Sequence, residues 1–233
     1  MPPTRRPPIA FAHRGGQAHA PANTLEAFRL ALRLGATGLE SDVRLTADGV
    51  PVLDHDGVAG RWWRRRPISS FRRDQLPPGI PSLAELYEAC GADYELSLDV
   101  KDTESAGAVV DVARAAGGED RLWLCHPSWE QVAEWRALSQ AVRLVDSTRL
   151  RHMREGPERR AARLAEAGVD AVNLHHSDWN LGLATLFHRF ERLTLAWDCQ
   201  HGPALDRALA DGADGVYSDH VDRMVDAVTR YLR

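Results

Sequence analysis

The chain is poor in cysteine, has no long apolar run and carries no excess of positive charge, and each shortage closes off a class of protein. Cys90, Cys125 and Cys199 are its three cysteines, far apart and without a CxxC pair. A disulfide framework is therefore not expected, and buried thiols in a reducing compartment are. No run of about 18 apolar residues occurs, and the opening MPPTRRPPIAFAHRGG has two arginines but no apolar segment before the first predicted strand. Neither a transmembrane segment nor a secretory leader is expected, which places the protein in the cytoplasm. The net charge of −4 offers no general attraction to nucleic acid. No linker, low-complexity tract or shift of composition divides the chain.

What is present reads as a single globular domain. The 44% apolar and 27% charged composition is that of an ordinary folded protein, and 233 residues suit one α/β barrel. Eight β-rich runs alternate with helical patterns: IAFAHR (9–14), LESDVRL (39–45), YELSLDVK (94–101), RLWLCH (121–126), AVRLVDS (141–147), AVNLHH (171–176), LTLAWD (193–198) and GVYSDH (215–220). Between them TLEAFRLALRLG, SLAELYEACG and PERRAARLAEAG repeat apolar residues at three and four, the period of an outer helix. The expectation is α/β, a (β/α)8 TIM barrel. The first helix is expected to be capped by Asn23, with Glu26 three residues on, and to end at a left-handed Gly35.

Ionisable residues crowd the C-terminal ends of these strands: His13, Glu40, Asp42, Asp99, Lys101, His126, Asp146, His175, Asp198 and Asp219. That end of a barrel is its active-site face, and carboxylates on buried strands need partners or a metal. Glu40 and Asp42, two apart, project to one side, while Leu39, Ser41 and Val43 face the other. With Asp99 they form an all-carboxylate set, suited to a hard cation such as Mg²⁺ or Ca²⁺.

FAHRGG followed by PANTLEAFRLALRLGATGLESDVRLTADGVPVLDHD resembles the opening of the glycerophosphodiester phosphodiesterase family, whose HRG, PENT, ExD, TxDGxxV and HD elements appear here in order. Weaker echoes in IPSLAEL, LSLDVK, AVNLHH, LAWD and DGADGVYSD extend the likeness over nearly the whole chain. The resemblance implies metal-dependent hydrolysis of a small-molecule glycerophosphodiester to sn-glycerol 3-phosphate and an alcohol. His13 and His55 would be the acid–base pair, and Glu40, Asp42 and Asp99 the ligands of one divalent cation. Arg14 and Lys101 would hold phosphate, with His175 and Trp197 as further substrate contacts.

Two positions depart from the family pattern: PENT reads Pro21-Ala22-Asn23-Thr24, and the third ligand, usually glutamate, is Asp99, shorter by a carbon–carbon bond of about 1.5 Å. These departures motivate a rival reading, a degenerate barrel that binds phosphorylated ligands without turnover. A second rival is lysophospholipase D-like hydrolysis of lysolipids, suggested by the long stretch after the second unit, in which Arg61, Arg64, Arg65, Arg66, Arg72 and Arg73 surround Trp62, Trp63 and Phe71. Such a loop is either a solvated basic face or a lid touching an anionic membrane surface. Fold alone also admits a sugar-phosphate isomerase or aldolase. His19, His126, His152, His176, His188, His201 and His220 show no HExxH spacing, and no metal is assigned to them.

Overall fold

The computed structural model describes residues 7–60 and 64–233. The strands are β1 (Ile9–Ala12), β2 (Gly38–Leu45), β3 (Pro51–Leu53), β4 (Val58–Ala59), β5 (Arg66–Pro67), β6 (Glu95–Val100), β7 (Leu122–His126), β8 (Arg143–Ser147), β9 (Ala171–His175), β10 (Leu193–Trp197) and β11 (Gly215–Ser218). The helices are α1 (Leu25–Arg33), α2 (Leu83–Cys90), α3 (Ala106–Ala115), α4 (Trp129–Glu134), α5 (Pro157–Glu166), α6 (Leu181–Arg189), α7 (Gly202–Ala210) and α8 (Val221–Tyr231).

Eight strands run parallel around a closed ring, in the order β1, β2, β6, β7, β8, β9, β10, β11 and back to β1. This is the expected TIM barrel. Every predicted strand is present; β2 begins one residue earlier than expected, at Gly38, and the other seven are trimmed at one or both ends. His13 and Arg14 leave the first strand for a short 3-10 turn because Arg14 takes a left-handed backbone, φ 50°.

Side chains alternate across the ring. Ile9, Phe11, Trp123, Cys125, Val145, Ala171, Leu195 and Tyr217 point inward and pack as one cluster. Leu39, Val43, Leu96, Leu98, Leu124, Leu144 and Leu174, of opposite parity, pack in the layer under the helices. Each such aliphatic side chain removed from water contributes roughly 1.5–3 kcal/mol. Trp123, wholly buried low in the barrel, donates its indole N–H to Glu95 at 2.7 Å.

Two local expectations change. The cap of α1 is Thr24, whose hydroxyl oxygen accepts from the Ala27 N–H, not Asn23. Asn23 lies one residue earlier in a left-handed conformation, φ 57°, and its side-chain oxygen accepts from the buried Ser41 hydroxyl at 2.8 Å, tying the loop to β2. Gly35 is left-handed as expected.

The long stretch after β3 builds a small core of its own from Val52, Ala59, Ile68 and Leu76. Arg73 clamps Glu85 with two bonds of 2.7 and 2.9 Å, Arg72 pairs with Asp48 and Asp74, and the Arg66 guanidinium lies 4.3 Å from the Phe71 ring. Half of the named arginines are thus structural; Arg64 and Arg65 are exposed. Arg61, Trp62 and Trp63, on which the lipid-facing expectation rested, lie outside the described residues. Among the described residues no helix is long and apolar enough to cross a membrane.

Candidate active site

The pocket at the C-terminal mouth of the barrel, about 340 Å³, is lined by His13, Arg14, Glu40, Asp42, His55, Ser97, Asp99, Lys101, Ser147, Asn173, Trp197, Asp198, Gln200 and Tyr217. The β-strand period explains the set. Glu40 and Asp42 on β2, Ser97 and Asp99 on β6, Asn173 on β9 and Trp197 on β10 all take the inward parity. Asp42 and Asp99 are register partners on neighbouring strands, which brings their carboxylates to one rim. Beneath them Ser97 hydrogen-bonds the Tyr217 hydroxyl at 3.0 Å, forming a polar floor.

The His-Arg-Gly-Gly turn is held by its glycines. Gly15 and Gly16 have φ of 81° and 80°, and a Cβ on them would lie 2.8 Å from Ala27 Cβ and 2.5 Å from a Val221 methyl. Only glycine meets both demands. The tight turn leaves the Arg14 N–H donating to Glu40 Oε2 at 2.8 Å and sets the Arg14 Nε 3.5 Å from Asp42 Oδ2. It also presents His13 between two carboxylates, with Nδ1 2.6 Å from Asp219 and Nε2 3.8 Å from Glu40. Burial is the largest single effect on His13 and lowers its pKa, but the charges of Glu40 and Asp219 outweigh it, and the net shift is upward.

Glu40 is pushed up to about 7. Burial is the main cause; His13 opposes it, and the charges of Asp42 and Asp99 add to the rise. Lys101, the only lysine in the sequence, lies 3.0 Å from both Asp42 and Asp99. Burial works against its charge, yet the two carboxylates hold its pKa above the ordinary lysine value. His55 reaches the pocket from the loop after β3 and pairs with Asp56 at 3.1 Å, while the Arg44 guanidinium donates to the His55 carbonyl at 3.0 Å.

Glu40, Asp42 and Asp99 fit a hard divalent cation by chemistry: all donors are oxygens, Asp42 Oδ2 is buried without a hydrogen bond, and burial together with the neighbouring carboxylates has raised Glu40. In the protein alone Lys101 bridges Asp42 and Asp99. Among the described residues, the set of three potential ligands whose atoms all lie within 4.8 Å of one another is a different one, His175, His176 and Asp198.

Eight of the nine residues named from the sequence line this pocket; His175 does not. It stands edge-on to the Trp197 ring, centroids 4.6 Å apart, and bonds Asp198 at 3.1 Å. Two strand-end residues leave the site altogether because their parity is outward. Asp146 is buried against Arg160 of α5 at 2.7 Å, and His126 accepts from the Ser128 N–H at 3.1 Å. Asp219 meets His13 through Nδ1 at 2.6 Å, and the N-cap of α8 is His220. Ser97, Ser147, Asn173, Gln200 and Tyr217 were not anticipated. Parity marks Ser97 and Asn173, two residues before Asp99 and His175, but Gln200 reaches the pocket from beyond a left-handed Asp198, φ 64°, which no strand period reveals.

A sequence model of the glycerophosphoryl diester phosphodiesterase family matches residues 13–223. The chain is 28% identical over 246 residues to the "Probable glycerophosphodiester phosphodiesterase 2" of Mycobacterium tuberculosis, covering 94% of this chain and 90% of that protein. It is 58% identical over 52 residues to glycerophosphodiester phosphodiesterase 1 of Rattus norvegicus, a stretch that makes up 22% of this chain and only 16% of that relative's length. Among solved structures, an Oleispira antarctica phosphodiesterase in complex with the product sn-glycerol-3-phosphate superimposes with a TM-score of 0.80 at 23% identity, covering 95% of this chain and 97% of that one. At that identity the superposition speaks for the fold alone.

Proposed function

The chain belongs to the glycerophosphoryl diester phosphodiesterase family, and from that premise we propose that it hydrolyses glycerophosphodiesters to sn-glycerol 3-phosphate and an alcohol. The observation that carries the reading is His13: one imidazole clamped between Asp219 and Glu40, in a pocket that also holds His55, Arg14 and Lys101.

The carboxylates beside His13 raise its pKa against the effect of burial and so favour its protonated form, the state a general acid needs to deliver a proton to a poor alkoxide leaving group. His55, across the same pocket, takes the proton from the attacking water. As the water oxygen bonds to phosphorus, the phosphorus–alkoxide bond breaks, and the departing oxygen receives the His13 proton. Arg14 and Lys101 are the cations available to the non-bridging oxygens, and the walls fix them before substrate arrives, because Asp42 orients Arg14 and Asp42 and Asp99 orient Lys101. Glu40, Asp42 and Asp99 would hold a Mg²⁺ or Ca²⁺ ion, which would supply further neutralisation of the phosphoryl charge. Trp197 offers an apolar face to the alcohol side. Ala22 is exposed, and the departure there leaves this machinery intact. Three free thiols, two of them buried, favour a cytoplasmic location.

The test is a panel of glycerophosphodiesters differing in head group, together with a lysolipid, assayed for sn-glycerol 3-phosphate and free alcohol with Mg²⁺, Ca²⁺ or a chelator. Product from the deacylated substrates supports the proposal. Turnover of the lysolipid alone moves the activity to the lysophospholipase D class, and binding without turnover identifies a degenerate barrel.

A further inference from the structure

Across the barrel mouth from β2 and β6, the ends of β9 and β10 bring together three side chains that the hydrolytic mechanism does not use. His175 closes β9, His176 opens the turn that follows, and Asp198 stands just beyond β10. One ligand atom from each lies within 4.8 Å of the other two. His175 Nε2 is 3.1 Å from Asp198 Oδ2, and the two imidazoles stack with centroids 4.5 Å apart. From this geometry we propose that His175, His176 and Asp198 form a second metal site, selective for a borderline divalent cation of the zinc class and distinct from the all-carboxylate set.

Donor chemistry decides the class of ion. Two imidazole nitrogens and one carboxylate oxygen suit Zn²⁺ far better than Mg²⁺ or Ca²⁺, which prefer oxygen throughout. Bonds of about 2.0–2.2 Å to each donor need ligand atoms roughly 3–3.5 Å apart around a tetrahedral ion. The His175–Asp198 pair already meets that spacing, and His176 needs only a side-chain adjustment. The surroundings are arranged for the task. His175 Nδ1 accepts from the Ser177 N–H at 3.2 Å, with Ser177 Oγ 2.8 Å away, which fixes the ring with Nε2 toward Asp198 Oδ2, where a bound ion would replace the proton between them. Gln200 holds the far oxygen of Asp198 at 3.2 Å, leaving Oδ2 directed at the histidines. The His176 ring has no hydrogen-bond partner among the described residues; its contacts are the stack on His175 and the edge of His201, at 6.5 Å.

Three protein ligands leave a fourth position open, and Asp198 also lines the hydrolytic pocket. An ion bound here would therefore adjoin that pocket, and its open position could take water. Sequence spacing does not announce such a site, because its ligands come from two strands more than twenty residues apart.

The experiment is calorimetric titration of the full chain with Zn²⁺ in buffer saturated with Mg²⁺, repeated with Co²⁺ as a spectroscopic probe of tetrahedral geometry. One equivalent of Zn²⁺ should bind despite excess Mg²⁺, Co²⁺ should give the visible absorption of a tetrahedral site, and His176→Gln and Asp198→Asn should each weaken binding by about tenfold or more. Asp99→Asn should keep it. Metal-free melting curves of the variants report whether each remains folded, and His176, having no hydrogen bond to lose, is the safer replacement. Absence of stoichiometric Zn²⁺ binding overturns the proposal. So does binding that survives His176→Gln and vanishes in Asp99→Asn, because the ion would then sit among the carboxylates.

Discussion

Glu40→Gln should make the metal-free protein more stable at alkaline pH while abolishing its activity. Glu40 is buried on β2 near Asp42 and Asp99, and its pKa rises from 4.5 to about 7 in the fold. A group whose proton affinity is higher folded than unfolded stabilises the fold fully at low pH, and that contribution is lost as pH climbs from about 4.5 through about 7. At about 1.4 kcal/mol per tenfold change in proton affinity, the loss is on the order of 3 kcal/mol. Glutamine removes the charge yet keeps an oxygen to accept the Arg14 N–H, which now donates to Glu40 at 2.8 Å. Urea denaturation with a chelator present should therefore find wild type and variant similar near pH 5, and the variant more stable by about 2–3 kcal/mol near pH 8. Mg²⁺ should stabilise the wild type and leave the variant unchanged. The reasoning is refuted if the variant is the weaker protein at pH 8, or if stability falls as steeply between pH 5 and pH 8 without Glu40 as with it.

Asp219→Asn removes a charge and a hydrogen bond that raise the His13 pKa, so the alkaline fall of kcat/KM, which requires protonated His13, should move to lower pH; an unmoved profile contradicts the pairing. Lys101→Met should lower kcat/KM by roughly a hundredfold or more through lost transition-state stabilisation, and should also lower the melting temperature of the metal-free protein, since the buried Asp42 carboxylate loses its partner at 3.0 Å. Arg160→Met strands the buried Asp146 carboxylate, whose pKa is already raised to about 6. The cost should be about 3 kcal/mol near pH 8 and smaller near pH 5, where Asp146 protonates, as equilibrium unfolding would report. Asn23→Ala loses both a residue type that tolerates φ 57° and the bond to Ser41, and should destabilise by about 1–3 kcal/mol.

The barrel was legible because a parallel ring needs eight short strands of buried alternation, and no other pattern competes for those runs. The carboxylate rim was legible for the same reason: Glu40 and Asp42 share a parity that places them inside together. Counting strand ends without parity, however, drew in Asp146 and His126, which lie one residue out of phase with the inward Val145 and Cys125. The His13–Asp219 bond joins residues 206 apart in sequence and exists only because β11 closes on β1. Asn23 resembled a cap until its left-handed backbone turned the side chain onto Ser41 and left the cap to Thr24. The basic stretch after β3 reads from sequence as a solvated face or a lid, yet Arg72 and Arg73 are tied to Asp48 and Glu85, carboxylates that lie far from them in sequence.

The most direct test of the hydrolytic assignment is phosphorus NMR of glycerophosphocholine incubated with the purified chain and Mg²⁺. The diester signal should convert to that of sn-glycerol 3-phosphate, and conversion should stop with a chelator or in His13→Ala. Conversion that continues in the chelator, or at an undiminished rate in His13→Ala, would contradict the account.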